Sequence, residues 1–222
     1  VSEGVKLDLA QSSGIRPDHI RVVPNPVVTA ELFEQARAPI QHPWFAEGAP
    51  PVLLGIGRLT TQKDFVTLVR AFAVLRARRD ARLMILGEGP ERLTLERLAS
   101  DLGVADDLAL PGFVDNPFAF LKRAALFVLS STFEGLPGAL IQALACDTPV
   151  VSTDCDSGPR EILQGGRFGA LVPVANVSAL ADAMYRALEH PPAKTPAEAL
   201  NRFTDAGAVD AYLRALELDV HA

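Results

Sequence analysis

Twelve residues carry the most chemistry in this chain: Ser130-Ser131-Thr132-Phe133-Glu134-Gly135-Leu136-Pro137-Gly138-Ala139-Leu140-Ile141. They join an apolar strand, Leu126–Leu129, to an apolar helix read over Ala139–Cys146. A carboxylate, Glu134, therefore lies between a strand's C-terminal end and a helix's first turn. Free backbone N–H groups and the positive end of a helix dipole suit a phosphate there. Glu134 would not bind phosphate, so it needs another task, such as holding sugar hydroxyls.

A second group of residues follows an earlier strand, Val52–Ile56. Gly57 allows close backbone approach, Arg58 offers a planar fork and Lys63 a point charge, a good pair for two phosphates. Read alone, both could equally be exposed loop charges. The turn Gly87-Glu88-Gly89-Pro90 permits backbone contact with a nucleotide, and a tight turn with proline opening a helix explains it as well. Asp154-Cys155-Asp156 has the look of an acidic pair for a metal. It precedes Ser157-Gly158-Pro159-Arg160-Glu161, which reads as a helix entry, so a capping role is expected instead. None of His19, His42, His190 and His221 falls near this machinery, and all four read as surface residues.

These residues need a frame. Apolar, β-branched runs at Ile20–Val23, Val52–Ile56, Arg82–Leu86, Leu108–Leu110, Leu126–Leu129, Pro149–Ser152 and Ala170–Val172 read as strands. Helix-period stretches lie between them. In Asp64–Arg78 the residues Phe65, Leu68, Val69, Phe72 and Leu75 line one face, and Asp64 is a plausible N-cap. Further helices are read at Glu91–Asp101, Pro117–Arg123, Pro159–Leu163, Ser178–Glu189 and Asp205–Leu218. Repeated βα units with continuous apolar strands predict an α/β, Rossmann-like, doubly wound parallel sheet. Ligands of such sheets bind outside the strands' carboxyl ends.

Bulk properties narrow the function. The chain has 222 residues, 49% of them hydrophobic, and a net charge of −6. The charge argues against a general nucleic-acid binder, and Arg76, Arg78, Arg79 and Arg82 read as a solvated helix end. No apolar run reaches a membrane span, and no signal peptide is evident. Cys146 and Cys155 form no metal pattern and read as reduced thiols of a cytosolic protein. Three segments are expected: residues 1–50, a crossover plus a proline-rich linker; 51–190, the parallel-sheet domain; and 191–222, a helical segment.

The ordered set Gly57-Arg58-Leu59…Gln62-Lys63-Asp64, Gly87-Glu88-Gly89-Pro90, Pro111-Gly112-Phe113-Val114, Ser131…Glu134-Gly135-Leu136-Pro137 and Thr153-Asp154-Cys155…Ser157-Gly158-Pro159-Arg160-Glu161-Ile162-Leu163 resembles a known family. It is similar to the nucleotide-sugar-binding C-terminal half of a GT-B-fold retaining glycosyltransferase, in the group called glycosyl transferases group 1, or family 4. The likeness covers residues 20–190. It implies that Arg58 and Lys63 bind the donor diphosphate and stabilise the leaving group. Glu134 would face the sugar, backbone groups near Phe113 and Val114 would read the base, and Gly57, Gly87, Gly89, Gly138 and Ala139 would lie along the donor. It implies no cofactor and no metal, a UDP- or GDP-sugar as donor, and an acceptor-binding N-terminal domain absent from this chain. Location would be cytoplasmic, with peripheral contact at the inner face of a membrane. The alternative is a non-catalytic nucleotide-sugar-binding module working with a partner chain. A dehydrogenase-type nucleotide binder is disfavoured, because no G-x-G-x-x-G follows the first strand.

Two positions depart from the family pattern. Gln142 stands where a second glutamate usually holds the ribose, and it lacks the charge of a carboxylate. Asp147 replaces a glycine after the helix, a C-cap compromise.

Overall fold

The computed structural model describes residues 1–216. Six strands, β1 (Val52–Ile56), β2 (Arg82–Leu86), β3 (Leu108–Gly112), β4 (Leu126–Leu129), β5 (Val150–Thr153) and β6 (Ala170–Val172), form one sheet in the order β3-β2-β1-β4-β5-β6. Every pairing is parallel. The strand order reverses between β1 and β4, which opens a crevice at their carboxyl ends.

The strands are apolar on both faces, and their side chains sort by alternation. Leu53, Leu83, Ile85, Leu126, Val128 and Val151 point into one core. There they meet Leu68, Phe72 and Leu75 of α3 (Phe65–Arg76), Leu95 of α4 (Arg92–Asp101), and Leu180 and Met184 of α8 (Val177–Glu189). Leu54, Met84, Leu86, Phe127, Leu129 and Val150 point into the other core. That face is covered by α2 (Ala30–Ala36), α5 (Pro117–Arg123), α6 (Gly138–Ala145), α7 (Pro159–Ile162) and α9 (Ala197–Leu200). Burying each large aliphatic side chain contributes about 1.5–3 kcal/mol, so two full layers fix the sheet on both sides.

Local signals explain the helix starts. Asp64 caps α3, its Oδ1 accepting from Thr67 N at 3.1 Å, with a left-handed φ of 45°. Asn116 and Asn176 cap α5 and α8, and Pro159 opens α7 with Glu161 in its first turn. Asp147 takes the left-handed conformation the C-terminal position demands, at φ 61°. It also binds Lys122 at 3.1 Å and Lys194 at 3.0 Å.

Several expectations are corrected. Residues 20–23 form no strand and lie outside the sheet; Pro24 and Pro26, just beyond, lack the N–H groups a ladder needs. Pairing occurs further on, where Val27 N and Val28 N both donate to Phe203 O, at 2.9 and 3.0 Å. Helices α2 and α9 were not expected, and α1 (Glu3–Ser13) falls in the segment read as a crossover and linker. The helix expected over Asp205–Leu218 is α10 (Asp205–Ala215), and positions 217 and 218 lie outside the described residues.

The arginines at the end of α3 are paired rather than merely solvated. Arg76 binds Asp80 and Asp107, Arg78 binds Asp182 and lies over Tyr185, and Arg79 binds Glu189. These contacts tie α3 to α8 and to the approach of β3. The guanidinium of Arg82 lies over Trp44.

His42 is half-buried: it packs edge-on against Trp44 and Phe45, and its Nδ1 accepts from Trp44 N at 3.2 Å. His19 and His190 are exposed, while His221 lies outside the described residues. Both cysteines are buried free thiols, and burial pushes each up to about 11. Among the described residues no helix is long and apolar enough to cross a membrane.

Candidate active site

The β1–α3 and β4–α6 loops meet at the carboxyl end of the sheet and are stitched together. Thr132 N donates to Gln62 O at 2.8 Å, and Gln62 Nε2 donates to Phe133 O at 3.0 Å. Ser130 Oγ donates to Lys63 O at 2.7 Å. This stitching brings two distant charges together. Lys63 Nζ donates to Glu134 Oε1 at 2.5 Å, with the side chains only 20% and 8% exposed. Ser131 Oγ donates to the same oxygen at 2.6 Å. Ser131 is itself held from β5, because Thr153 Oγ1 donates to Ser131 O at 2.6 Å. Ser131 and Thr153 belong to the quoted motifs, but no role was read for either of them from the sequence. A run of hydroxyls closing an apolar strand, Ser130-Ser131-Thr132, was the available signal.

Arg58 lies earlier in the β1–α3 loop, exposed, with no ion pair among the described residues. At the start of α6 the N–H groups of Gly138 and Ala139 have no acceptor among the described residues. Lys63, Glu134 and the open helix end thus lie on two loops that the stitching holds together, with Arg58 on the first of them. Cation, N–H donors and dipole combine there to favour an anion.

A cavity of about 350 Å³ lies at the other side of the crevice. Its walls come from the ends of β1 and β2 (Ile56, Gly57, Arg58, Leu86, Gly87, Glu88) and from the loop into α5 (Phe113, Val114, Pro117). The lining is mostly apolar, and the Phe113 ring is 77% exposed at its mouth. Glu88 is engaged by Arg92, at 2.6 and 3.0 Å, and those hydrogen bonds hold its carboxyl below the ordinary range. The cavity therefore presents apolar surface and backbone groups, suited to a flat ring.

Gly87 and Gly89 are needed for packing. A Cβ on Gly87 would lie 2.0 Å from Gly57 O, and one on Gly89 would lie 2.4 Å from Leu59 O. The two loops touch backbone to backbone there, with Leu59 N donating to Glu88 O at 2.9 Å. Gly87 also borders the cavity, whereas Gly89 is not among its lining residues.

A second cleft, of about 450 Å³, opens on the other side of Glu134. It lies between the Phe133–Glu134 loop, Asp156 and Ser157, and the α1 residues Gly4, Val5, Leu7, Asp8 and Gln11. The capping role expected for Asp154 and Asp156 is not found. The N-cap of α7 is Gly158, without a side-chain cap, and Asp154 instead pairs with Arg160. Gln142 is half-buried on α6, one turn beyond Gly138, and its amide has no hydrogen-bond partner among the described residues. The sheet's crevice brings Gly57, Arg58, Gly87, Phe113 and Val114 together on one side and Lys63, Glu134, Gly138 and Ala139 on the other.

Residues 50–190, more than half the chain, match the family model for glycosyl transferases group 1. The chain belongs to this family. Among curated members, an uncharacterised glycosyltransferase of Methanocaldococcus jannaschii is 40% identical over 147 residues, covering 64% of this chain and 36% of that protein. A Campylobacter jejuni enzyme named as an N-acetylgalactosaminyltransferase acting on a diphospho-undecaprenol-linked sugar is 32% identical over 188 residues. That match covers 85% of this chain and 49% of the enzyme. The chain thus spans between about a third and a half of these curated relatives. Among solved structures, Anabaena HepE in complex with UDP and glucose superposes with a TM-score of 0.79 at 19% identity, over 97% of this chain and 60% of that one. The galactosyltransferase WaaB superposes with a TM-score of 0.75 at 23% identity. Over the part that superposes, the Rossmann-like parallel sheet and flanking helices of these glycosyltransferase neighbours are the fold of this chain.

Proposed function

We propose that this chain is the donor-binding half of a retaining glycosyltransferase that uses a nucleotide-diphosphate sugar. The observation that carries the reading is the Lys63–Glu134 pair, held where β1 and β4 diverge, with the open start of α6 in the following loop. In this reading the base enters the cavity at Phe113 and Val114, and the diphosphate crosses to Arg58, Lys63 and the N–H groups of Gly138 and Ala139. The sugar then faces Glu134. Positive charge and helix dipole offset the charge growing on the leaving diphosphate, so no divalent metal is required. The UDP complex of HepE supports a nucleotide ligand, and the C. jejuni relative supports a lipid-linked glycan as acceptor. The acceptor would be held by a preceding domain, with the cleft beside α1 at the junction.

Calorimetry with UDP, GDP and their sugars, in chelator and in magnesium, tests this. Binding is expected to be weak, because both cavities are open to solvent and enclose a ligand only in part, and equal under both conditions. Arg58→Ala is expected to lose about 1.5–3 kcal/mol toward the diphosphates and nothing toward the bare nucleoside. Loss of binding on chelation would overturn metal independence. Unchanged diphosphate affinity in Arg58→Ala would make Arg58 a mere loop charge.

A further inference from the structure

The Lys63–Glu134 contact has two possible partners competing for one cation. The Lys63 ammonium serves Glu134, whose side chain is 8% exposed. A carboxylate that deep needs its donors, because an unpaired buried charge is costly. Its Oε1 accepts from Lys63 and from Ser131, while Oε2 has no donor among the described residues. A diphosphate must draw on the same ammonium.

We infer that this pair makes the site discriminate the intact sugar nucleotide from the spent nucleoside diphosphate, and so favours product release. The inference rests on the donor-site reading above. A bare nucleoside diphosphate pulls Lys63 toward phosphate, adds negative charge beside Glu134 and supplies nothing in exchange. An intact donor brings sugar hydroxyls, which donate to Glu134 as Lys63 turns to the phosphates. It also carries one negative charge fewer than the product. A site made of cations alone would hold the more highly charged product more tightly, and the internal carboxylate reverses that preference. Ser131 is the positioning residue of this arrangement. Anchored through Thr153, it keeps Glu134 in place while Lys63 is shared.

The test is titration of the full chain and four variants with UDP and UDP-glucose, and with GDP and GDP-mannose. Glu134→Gln is expected to bind the bare diphosphate about three- to tenfold more tightly than wild type, since Lys63 is released. Its preference for the sugar nucleotide is expected to fall. In a Lys63→Met background the same change is expected to give a much smaller gain, which separates loss of the pair from simple removal of a negative charge. Ser131→Ala is expected to act in the opposite direction, because Glu134 then depends on Lys63 alone. It decides the matter if Glu134→Gln does not fold. A Glu134→Gln protein that binds bare diphosphate no more tightly, or one that gains as much without Lys63, overturns the inference while leaving the donor site intact. If no protein in the set binds any nucleoside diphosphate, the donor-site reading fails and the inference falls with it.

Discussion

Glu134 and Gln142 stand eight residues apart, on the loop and helix that follow β4, and they differ in how firmly each is held. Glu134 has two donors on one oxygen, whereas the Gln142 amide has none among the described residues. A half-buried amide with nothing to bind is available for a ligand. If it meets a ribose, Gln142→Glu should tighten nucleoside diphosphate binding by about 1 kcal/mol, because a carboxylate accepts both hydroxyl protons. Burial of the new charge and its proximity to the diphosphate oppose that gain. Titrating wild type, Gln142→Glu and Gln142→Ala with UDP and 2′-deoxy-UDP checks the assignment. Equal discrimination between the two ligands by all three proteins would show that Gln142 does not touch the 2′-hydroxyl. At this scale the sequence was legible for charge and conformation: Glu134, Lys63 and Asp64 stand where their spacing put them. Ser131 and Thr153 were not legible, because a hydroxyl acquires its role only from the carbonyl or carboxylate that the fold brings to it.

Loops and helix ends set the next scale. The approach of Gly87 to the Gly57 carbonyl leaves no room for a Cβ, and its φ of 139° disfavours one independently. Gly87→Ala should therefore cost roughly 2–3 kcal/mol, a fall in Tm of about 5–10 °C for a chain of this size. A thermal melt of the ligand-free protein reads it, and an unchanged Tm would mean the loops are not in contact. At the end of α6, the hydrogen bond from Lys194, then that from Lys122, holds the Asp147 carboxyl below its ordinary value. A lowered carboxylate contributes stability above the unfolded value near pH 4, and that contribution disappears as pH falls through the folded value. Lys194→Ala should accordingly lower Tm slightly at neutral pH and leave it unchanged in acid where Asp147 is protonated. A deficit of the same size at both pH values would place the effect of Lys194 elsewhere. The core strands and amphipathic helices were readable as elements because burial on both faces demands unbroken apolar runs. The segment at residues 20–23 has the same apolar look, but prolines deny it a ladder. Helix α9 is short, without a side-chain cap, and is held by packing, whereas α2 had a local signal that went unread, Thr29 Oγ1 accepting from Leu32 N at 3.2 Å.

Across the whole molecule the sheet has a seam. β1 pairs with β2 from Val52–Arg82 through to Ile56–Leu86, but with β4 only through Leu53–Leu126 and Leu54–Phe127. On one side of that seam lie the apolar cavity and Arg58, and on the other lie Glu134 and the start of α6. A ligand with its base in the cavity and its phosphates at α6 would bridge the thinnest ladder in the sheet. Proteins open in cooperative units whose free energies differ, and a ligand that binds only the closed form adds its binding energy to the barrier against opening. The donor would then be a structural clamp as well as a substrate. Amide exchange around the seam, at Ala125 N bonded to Val52 O and along β4, should slow on adding a nucleoside diphosphate. The β2–β3 edge should change less. Uniform slowing over the whole sheet would mean that the two halves never part before the molecule unfolds.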